Sequence, residues 1–295
     1  MRPFLDDTAQ IVGTRFTFGQ KPKGRSEREK RIFGFVLEKA EKVYDEAQKI
    51  GGVKFLPAFD ARLMRIVYLK KYSKNQEGPR AVTDDDLKFD DTGLKMTIRE
   101  QELAEQLVDA GNRLVKENLV QGTWGNLSVR VDDEYMLVTP SGIDYERLTA
   151  GDMVKVRIED ASYEKEMPDG SRALKPTSER GLHAEIYRQR IDVGAIVHTH
   201  STYSSVFAAA LKPLPVADKT DREIFGGHVH VADYGLPGTK KLSLATVKAL
   251  GDRNCAIMAH HGNVVCGAEI EDAFANAVRI EQIAKEYLAQ RNYPE

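Results

Sequence analysis

Four histidines, which follow two apolar segments, have the residue type and spacing of a metal site. His198 and His200 close one short apolar run, and His260 and His261 follow another. Side chains alternate between the two faces of a β-strand, so two histidines separated by one residue can approach the same ion. Ordinary hydrogen-bonded histidines also adopt this spacing. We therefore predict a three-histidine metal site at two strand ends, with structural histidines as the alternative.

The distribution of histidine favours the metal site. The chain has 7 histidines in 295 residues, and four of them lie in these two motifs. His228 and His230 repeat the spacing of the first pair and compete with it as ligands. They follow two glycines and lead into a loop-like segment at residues 233–238. We therefore rank them second, with a position on the surface or at a subunit contact as the alternative.

The composition is that of a soluble globular protein. Hydrophobic residues make up 41% of the chain and its net charge is −2, a balance without a general bias towards nucleic acids or membranes. No run approaches the roughly 20 apolar residues of a membrane helix, and the N-terminus lacks the apolar core of a signal peptide. We expect a cytoplasmic protein with no nucleic-acid or membrane partner, in which Cys255 and Cys266 are core thiols.

The pattern of apolar and charged residues changes near residue 90. Apolar residues at helical spacing predict a helix over residues 33–50, ended by two glycines, and a second helix over 59–72. A polar, acidic linker follows, and then an amphipathic helix over 98–118. We therefore predict two parts: a mainly helical N-terminal extension, residues 1–92, and a larger domain, residues 93–295.

Three turns rich in small residues lie between the predicted elements of the larger domain. They occur at residues 121–128, 138–142 and 176–179. Glycine lets backbone amides approach a ligand closely, and Ser, Thr and Asn add neutral donors, so such turns can hold a phosphate without a lysine. The alternatives are a tight helix-to-strand turn for the first and, for the third, Thr177 or Ser178 capping the helix that follows.

Five motifs in this order carry a family resemblance: T-x-G-N-x-S, T-P-S-G, P-[ST]-S-E, V-H-x-H-S and H-H-G. Over residues 97–290 the chain resembles the class II aldolase/adducin family. The resemblance implies an α/β fold, with a three-layer α/β/α domain around a central, mostly antiparallel sheet. It also implies a homotetramer with active sites at the subunit interfaces.

The resemblance assigns roles to individual residues. It makes His198, His200 and His261 the metal ligands, with Glu179 as a fourth ligand that is also the catalytic acid/base, and it leaves His260 as a neighbour. Three imidazoles and a carboxylate suit one divalent ion per subunit, of which zinc is favoured over cobalt or manganese. The residues implied to bind the substrate phosphate are Thr123, Gly125, Asn126, Ser141, Gly142, Thr177 and Ser178.

The implied activity is that of a metal-dependent aldolase. It would cleave a ketose 1-phosphate to dihydroxyacetone phosphate and an aldehyde through a metal-stabilised enediolate. In the segment 214–223, interpreted as a loop, the tyrosine of the family's aldolases is missing, and Glu223 falls where its 4-epimerases place a catalytic acid/base residue. The alternatives are therefore a sugar-phosphate 4-epimerase, a dehydratase or decarboxylase, and a non-catalytic adducin-like binding module.

Overall fold

A computed structural model gives the fold and describes residues 27–54, 56, 60, 96–120, 123–166 and 173–290. Its helices are α1 (Glu27–Lys49), α2 (Ile98–Lys116), α3 (Arg180–Gln189), α4 (Thr202–Ala210), α5 (Lys219–Phe225), α6 (Lys240–Leu250) and α7 (Ile270–Gln290). Its strands are β1 (Asn126–Arg130), β2 (Tyr135–Val138), β3 (Val154–Arg157), β4 (Ala195–Thr199), β5 (Leu214–Pro215), β6 (His228–Val229), β7 (Val231–Ala232), β8 (Cys255–Met258) and β9 (Gly262–Gly267).

A seven-stranded sheet forms the centre of the fold. Its strand order is β3-β2-β1-β4-β9-β8-β7, and every pairing is antiparallel except that between β7 and β8. Strands β5 and β6 form a separate two-stranded sheet. The predicted α/β class with a mostly antiparallel sheet is confirmed.

Helices cover both faces of the sheet, which gives the predicted three layers. Helices α1, α2, α4 and α7 share one core with one face, and α3 and α6 share a second core with the other. Alternation along β4 sends Ala195 and Val197 to the first core and Ile196 to the second. His198, two residues after Ile196, therefore faces the layer that contains α3.

Helix α2 begins where the amphipathic pattern predicts it. Thr97 caps it with a capping box: the Thr97 hydroxyl accepts from the Glu100 amide at 3.2 Å, and the Glu100 carboxylate accepts from the Thr97 amide at 2.8 Å. Glu100 also pairs with Lys155 of β3 at 2.6 Å. This helix is therefore anchored at its start and packs along β1 and β2.

The N-terminal helix α1 confirms the helix predicted over residues 33–50. It ends before Gly51 and Gly52, whose φ angles of 126° and 82° are in the left-handed region that favours glycine. The basic segment before α1, the helix predicted over 59–72 and the proposed boundary at residue 92 lie outside the described residues. In the described part of the chain, no helix is both long and apolar enough to cross a bilayer.

The interpretation of residues 214–223 as a loop is wrong. Residues 219–225 form helix α5, and the Asp218 carboxylate caps it by accepting from the amides of Thr220 at 2.8 Å and Asp221 at 3.2 Å. The charged residues that indicated a solvated loop are the polar side of a short helix, whose Asp221 and Phe225 are buried.

The two cysteines are core thiols, as predicted. Cys255 is buried in the core beside α7 and Cys266 in the core beside α3, so neighbouring strands send them to opposite faces of the sheet. Burial raises the pKa of the Cys266 thiol to about 12 and that of Cys255 well above its usual value. Neither thiol is therefore poised to ionise or to bind a metal.

Candidate metal centre and active site

The two histidine motifs meet because their strands are neighbours in the sheet. β4 pairs with β9, with His198 opposite Val264. The hairpin between β8 and β9 therefore lies beside the end of β4, and its residue His261 reaches the same place as His198 and His200. This confirms that two strand ends, distant in sequence, bring three imidazoles together.

The three imidazoles form a compact triangle. Their ring centroids are 4.7 Å apart for His198 and His200, and 4.9 Å apart for each pair that includes His261. The Nε2 atoms of His198 and His200 lie 2.8 Å apart. Potential ligand atoms of all three residues lie within 4.8 Å of one another, which is the arrangement that a single ion requires.

A tight hairpin selects His261 over His260. Met258 pairs with Gly262, His260 between them has a φ of +56°, and the His261 amide donates to the Met258 carbonyl at 3.1 Å. A Cβ atom at Gly262 would lie 2.2 Å from the Thr199 carbonyl oxygen. The H-H-G motif thus combines a candidate ligand, a residue in the left-handed turn position and a glycine that allows close contact with β4.

Glu179 lies within reach of the histidines. Its Oε2 is 3.0 Å from His198 Nε2 and its Oε1 is 3.5 Å from His261 Nε2. It occupies the N-cap position of α3 but makes no side-chain capping bond, so its carboxylate is directed to the metal site. The Thr177 hydroxyl accepts from the Glu179 amide at 3.2 Å, and the Asn126 amide donates to Glu179 Oε2 at 3.2 Å.

The site holds a carboxylate and histidines in a buried environment. Burial would raise the pKa of Glu179, but His261 and His198 hold it well below its usual value. Burial lowers the pKa of His200 well below its usual value and that of His261 to about 4. His198 is the exception, because the charge and hydrogen bond of Glu179 overcome burial and raise its pKa. An anionic carboxylate next to largely neutral imidazoles suits a cation.

The donor set fits a divalent ion. His198 Nδ1 pairs with the backbone oxygen of Asn263 at 2.7 Å, which leaves Nε2 facing the site as a ligand atom. Among the described residues, Glu179 Oε1 accepts no hydrogen bond although it is buried. A buried carboxylate oxygen of this kind is costly unless a cation binds it. Three nitrogen donors and one carboxylate match a zinc site that can open one position.

The first predicted phosphate segment lies against the end of β4. Gly125 has a φ of +81°, and a Cβ atom there would lie 2.5 Å from the His198 carbonyl oxygen. Asn126, which follows, is buried and is opposite His198 in the sheet. Thr123 is half-buried, and residues 121 and 122 lie outside the described part. This segment is therefore adjacent to the metal site.

The second and third predicted phosphate segments are paired with each other. The Ser141 amide donates to the Lys175 carbonyl at 2.8 Å, and the Thr177 amide donates to the Thr139 carbonyl at 3.1 Å. Ser141 and Gly142 are exposed, Ser178 is half-buried and Thr177 is buried. Because the Thr177 hydroxyl accepts from the Glu179 backbone amide, this pair of loops lies next to the residue that carries the carboxylate.

Other candidate residues lie outside the triangle. His228 and His230 are exposed residues of the β6 region. The His260 ring lies 6.1 Å from the ring of Tyr234, on the other side of the hairpin turn. The Ile224 carbonyl accepts from the Asn254 amide at 3.2 Å, just before β8, whereas His261 follows the other end of that strand.

Glu223 is therefore distant from the metal site of its own subunit. It is exposed on α5, and the five residue steps from Asn254 to Ala259, the residues that flank β8, span about 17 Å. In the described part of the chain, no hydrogen bond or ion pair joins Glu223 to the three histidines.

Reasoning from sequence missed His183. It is fully buried on α3, and its Nδ1 is 2.6 Å from the Ser128 hydroxyl, which in turn is 2.9 Å from the Tyr187 hydroxyl. Burial lowers its pKa to about 3, while the charge of Glu179 opposes that shift. The available signal was the helical spacing of four residues from Glu179, which places both side chains on one side of α3.

Comparison with known proteins gives a family match over most of the larger domain. The family model described as the class II aldolase and adducin N-terminal domain matches residues 105–288. The chain is 35% identical over 185 residues to a 5-methylthioribulose-1-phosphate/5-deoxyribulose-1-phosphate aldolase of Rhodospirillum rubrum, a match that covers 63% of this chain and 80% of that protein.

Two further similarities agree with this match. An L-fuculose phosphate aldolase of Escherichia coli O6:H1 is 32% identical over 191 residues, which are 65% of this chain and 85% of that protein. A solved structure of an L-fuculose 1-phosphate aldolase is similar with a TM-score of 0.58 and 32% identity, covering 66% of this chain and 88% of the other. Helix α1 lies before the region that the family model matches.

Proposed function

The chain belongs to the class II aldolase and adducin family, and on that premise we propose that it is a metal-dependent lyase acting on a sugar phosphate. The proposed reaction cleaves a ketose 1-phosphate to dihydroxyacetone phosphate and an aldehyde. One observation carries the proposal: the Glu179 carboxylate lies 3.0 Å from His198 within a buried triangle of three histidines. The names of the similar aldolases, which refer to ketose phosphates, support the substrate class.

The proposed cofactor is one divalent ion per subunit, most favourably zinc. His198, His200 and His261 would hold it, with Glu179 as a ligand that substrate displaces. Bound there, the ion would polarise the substrate carbonyl and stabilise the negative charge that develops on oxygen when the carbon–carbon bond breaks. The burial of all four residues, each 8% exposed or less, would strengthen the electrostatic contribution of the site.

Glu179 is proposed to transfer the proton at carbon. In the cleavage direction, the C4 hydroxyl loses its proton, the C3–C4 bond breaks, and the electron pair stays with the three-carbon fragment. Glu179, which takes up a proton from solvent once substrate has displaced it from the ion, then delivers that proton to C3 and completes dihydroxyacetone phosphate. In the synthetic direction the carboxylate removes the proton from C3. The Asn126 amide, which donates to Oε2 at 3.2 Å, would hold the carboxylate in place during this exchange.

The proposed phosphate site lies in the segments next to Glu179. The Gly125 backbone, which is in close contact with β4, would allow the phosphate to lie near the metal. The full proposed set is Thr123, Gly125, Asn126, Ser141, Gly142, Thr177 and Ser178.

A second residue must accept the C4 hydroxyl proton. Glu223 is the proposed candidate, and because it lies at the far end of β8 from its own metal site, it would have to act on a neighbouring subunit. We therefore propose a homotetramer with shared active sites. The measured mass of the native protein in solution tests this part independently of activity.

A substrate panel tests the reaction. Zinc-loaded protein is incubated with L-fuculose 1-phosphate, 5-deoxyribulose 1-phosphate and 5-methylthioribulose 1-phosphate, and dihydroxyacetone phosphate is measured by coupled reduction with NADH. Protein stripped by a chelator, and the same protein reloaded with zinc, are the controls. We expect zinc-dependent release from at least one substrate. Epimer formation from L-ribulose 5-phosphate, without release from any ketose 1-phosphate, would replace the aldolase proposal with that of an epimerase.

A further inference from the structure

Helix α1 belongs to the core of the domain although it lies outside the region that the family model matches. Ala40, Val43 and Ala47 are buried in the same core as β4 and α7. The helix packs on α4, which begins two residues after His200. A change in the position of α1 is therefore transmitted to the chain segment that carries a metal ligand.

Lys39 of α1 is buried next to that ligand. Its side chain is 4% exposed, and its Nζ donates a hydrogen bond to the backbone carbonyl oxygen of His200. Burial lowers the pKa of Lys39 to about 8, while the charge of Glu281 opposes that shift. Enclosing an ammonium group is unfavourable unless it is hydrogen-bonded or paired, so this contact with His200 is a specific part of the fold.

The His200 carbonyl lies just beyond the last residue of β4 that pairs with β9. The last pair between β4 and β9 is Thr199 with Asn263, so the peptide after His200 is outside the ladder. On its other side, Glu281 of α7 accepts from the amides of Tyr203 at 2.6 Å and Ser204 at 2.9 Å. Lys39 thus orients the short connection between the end of β4 and the start of α4.

We propose that Lys39 is a positioning residue for the metal site: its ammonium group holds the His200 peptide so that the His200 imidazole faces the ion. The N-terminal helix is then an integral part of the catalytic domain. The inference rests on the proposed metal site. It adds a role for helix α1, which lies before the region that the family model matches. Outer-shell hydrogen-bond partners of metal ligands typically contribute about 10- to 100-fold to metal affinity, and we expect an effect of that order from this contact with the His200 backbone.

Two lysines of α1 provide a matched comparison. Lys39→Met keeps an unbranched apolar stem and removes the donor to His200. Lys42→Met makes the same change on the same helix, but Lys42 is exposed and its Nζ contacts the Tyr203 hydroxyl at 2.8 Å. Full-length wild-type and variant proteins are stripped of metal and titrated with Co²⁺. Affinity is measured by competition with a chelator, and ligand geometry by the visible absorption bands of bound Co²⁺.

We expect Lys39→Met to weaken Co²⁺ binding by about 10- to 100-fold and to change the visible bands, while Lys42→Met leaves both close to wild type. Circular dichroism checks folding, and if Lys39→Met does not fold, Lys39→Leu, which also lacks a donor, replaces it. A folded Lys39 variant with wild-type affinity and spectrum overturns the inference, as does an equal loss in both lysine variants. If wild-type protein itself binds no Co²⁺, the proposed metal site fails instead.

Discussion

Asn126 and Glu179 are joined by a hydrogen bond of 3.2 Å between the side-chain amide and carboxylate oxygen Oε2. The same oxygen lies 3.0 Å from His198 Nε2. Asn126 begins β1 and follows Gly125, in the segment proposed to bind the substrate phosphate. The proposed phosphate site and the proposed proton-transfer residue are therefore directly coupled, so that a ligand in one is expected to affect the other.

Replacing Asn126 with alanine tests this coupling. A hydrogen bond to a charged group contributes about 1.5–3 kcal/mol, so we expect Asn126→Ala to lower kcat/KM by roughly 10- to 150-fold. Bound zinc should remain, because the three histidines are unchanged. The control is Asn276→Ala, which removes an amide donor to the Cys266 carbonyl at 3.0 Å and should leave kcat/KM near wild type. Loss of zinc from Asn126→Ala would show instead that this residue supports the ligands.

Glu179→Gln separates metal binding from proton transfer. The amide keeps the size of the side chain but cannot exchange a proton, so we expect kcat to fall by about 10²- to 10⁴-fold. The decisive measurement is deuterium exchange from solvent into dihydroxyacetone phosphate, followed by NMR, because it needs no carbon–carbon bond chemistry. Exchange should be lost in the variant. Glu185→Gln, also on α3 but paired with Arg188, is the control, and wild-type exchange in Glu179→Gln would exclude Glu179 as the proton-transfer residue.

His261→Gln and His260→Gln distinguish neighbouring histidines. The triangle contains His261, whereas the His260 ring lies beside Tyr234. We expect metal analysis after dialysis to show that His261→Gln loses its ion and that His260→Gln keeps it. The opposite result would mean that the hairpin turns the other way when the ion binds.

The features of this site that depend on neighbouring residues were predictable from sequence. Those that depend on the packing of distant segments were not. Alternation along a strand predicted that His198 and His200 could approach a common ion, because that property depends on neighbouring residues only. Which of the two neighbouring histidines faces His198 and His200 depends on the left-handed turn at His260. Spacing alone left His260 and His261 equally possible. The family motifs implied Glu179, but its contact with Asn126 requires α3 and β1 to pack together.

Two further residues show what the sequence pattern could not resolve. The charged run around Glu223 indicated a loop because a short helix with one buried side lacks a long apolar stripe. His183 was overlooked because a single buried histidine on a helix carries no motif, and its pairing with Ser128 comes from the packing of α3 on β1.

Gly125 and Gly142 separate two costs of adding a side chain: backbone strain, which both positions share, and steric contact, which only Gly125 has. Both have positive φ, +81° and +87°, but a Cβ atom at Gly125 would lie 2.5 Å from the His198 carbonyl, whereas one at Gly142 meets nothing within 4 Å. We expect Gly142→Ala to lower the free energy of unfolding by about 1–2 kcal/mol, and Gly125→Ala to lower it by more than about 3 kcal/mol. Urea denaturation measures both, and equal losses would mean that the loop before β1 moves freely away from β4.

His183 gives the protein a specific sensitivity to acid. Burial lowers the pKa of His183 from its ordinary value of 6.5 to about 3 in the folded chain. Below pH 6.5, the unfolded chain therefore binds a proton that the folded chain does not. The free energy of unfolding should fall as the pH falls from 6.5 towards 3, by up to about 1.4 kcal/mol per pH unit from this residue.

The variant His183→Asn removes that titration and keeps a group that can bond to Ser128. In metal-free protein, urea denaturation at pH 7.5, 6.5, 5.5 and 4.5 gives the slope for both chains. His260 and His261, whose pKa values burial lowers to about 4, contribute the same slope to both, so the difference isolates His183. We expect a shallower loss of stability in the variant, by up to one proton per molecule. Parallel curves would mean that folding does not lower the pKa of His183.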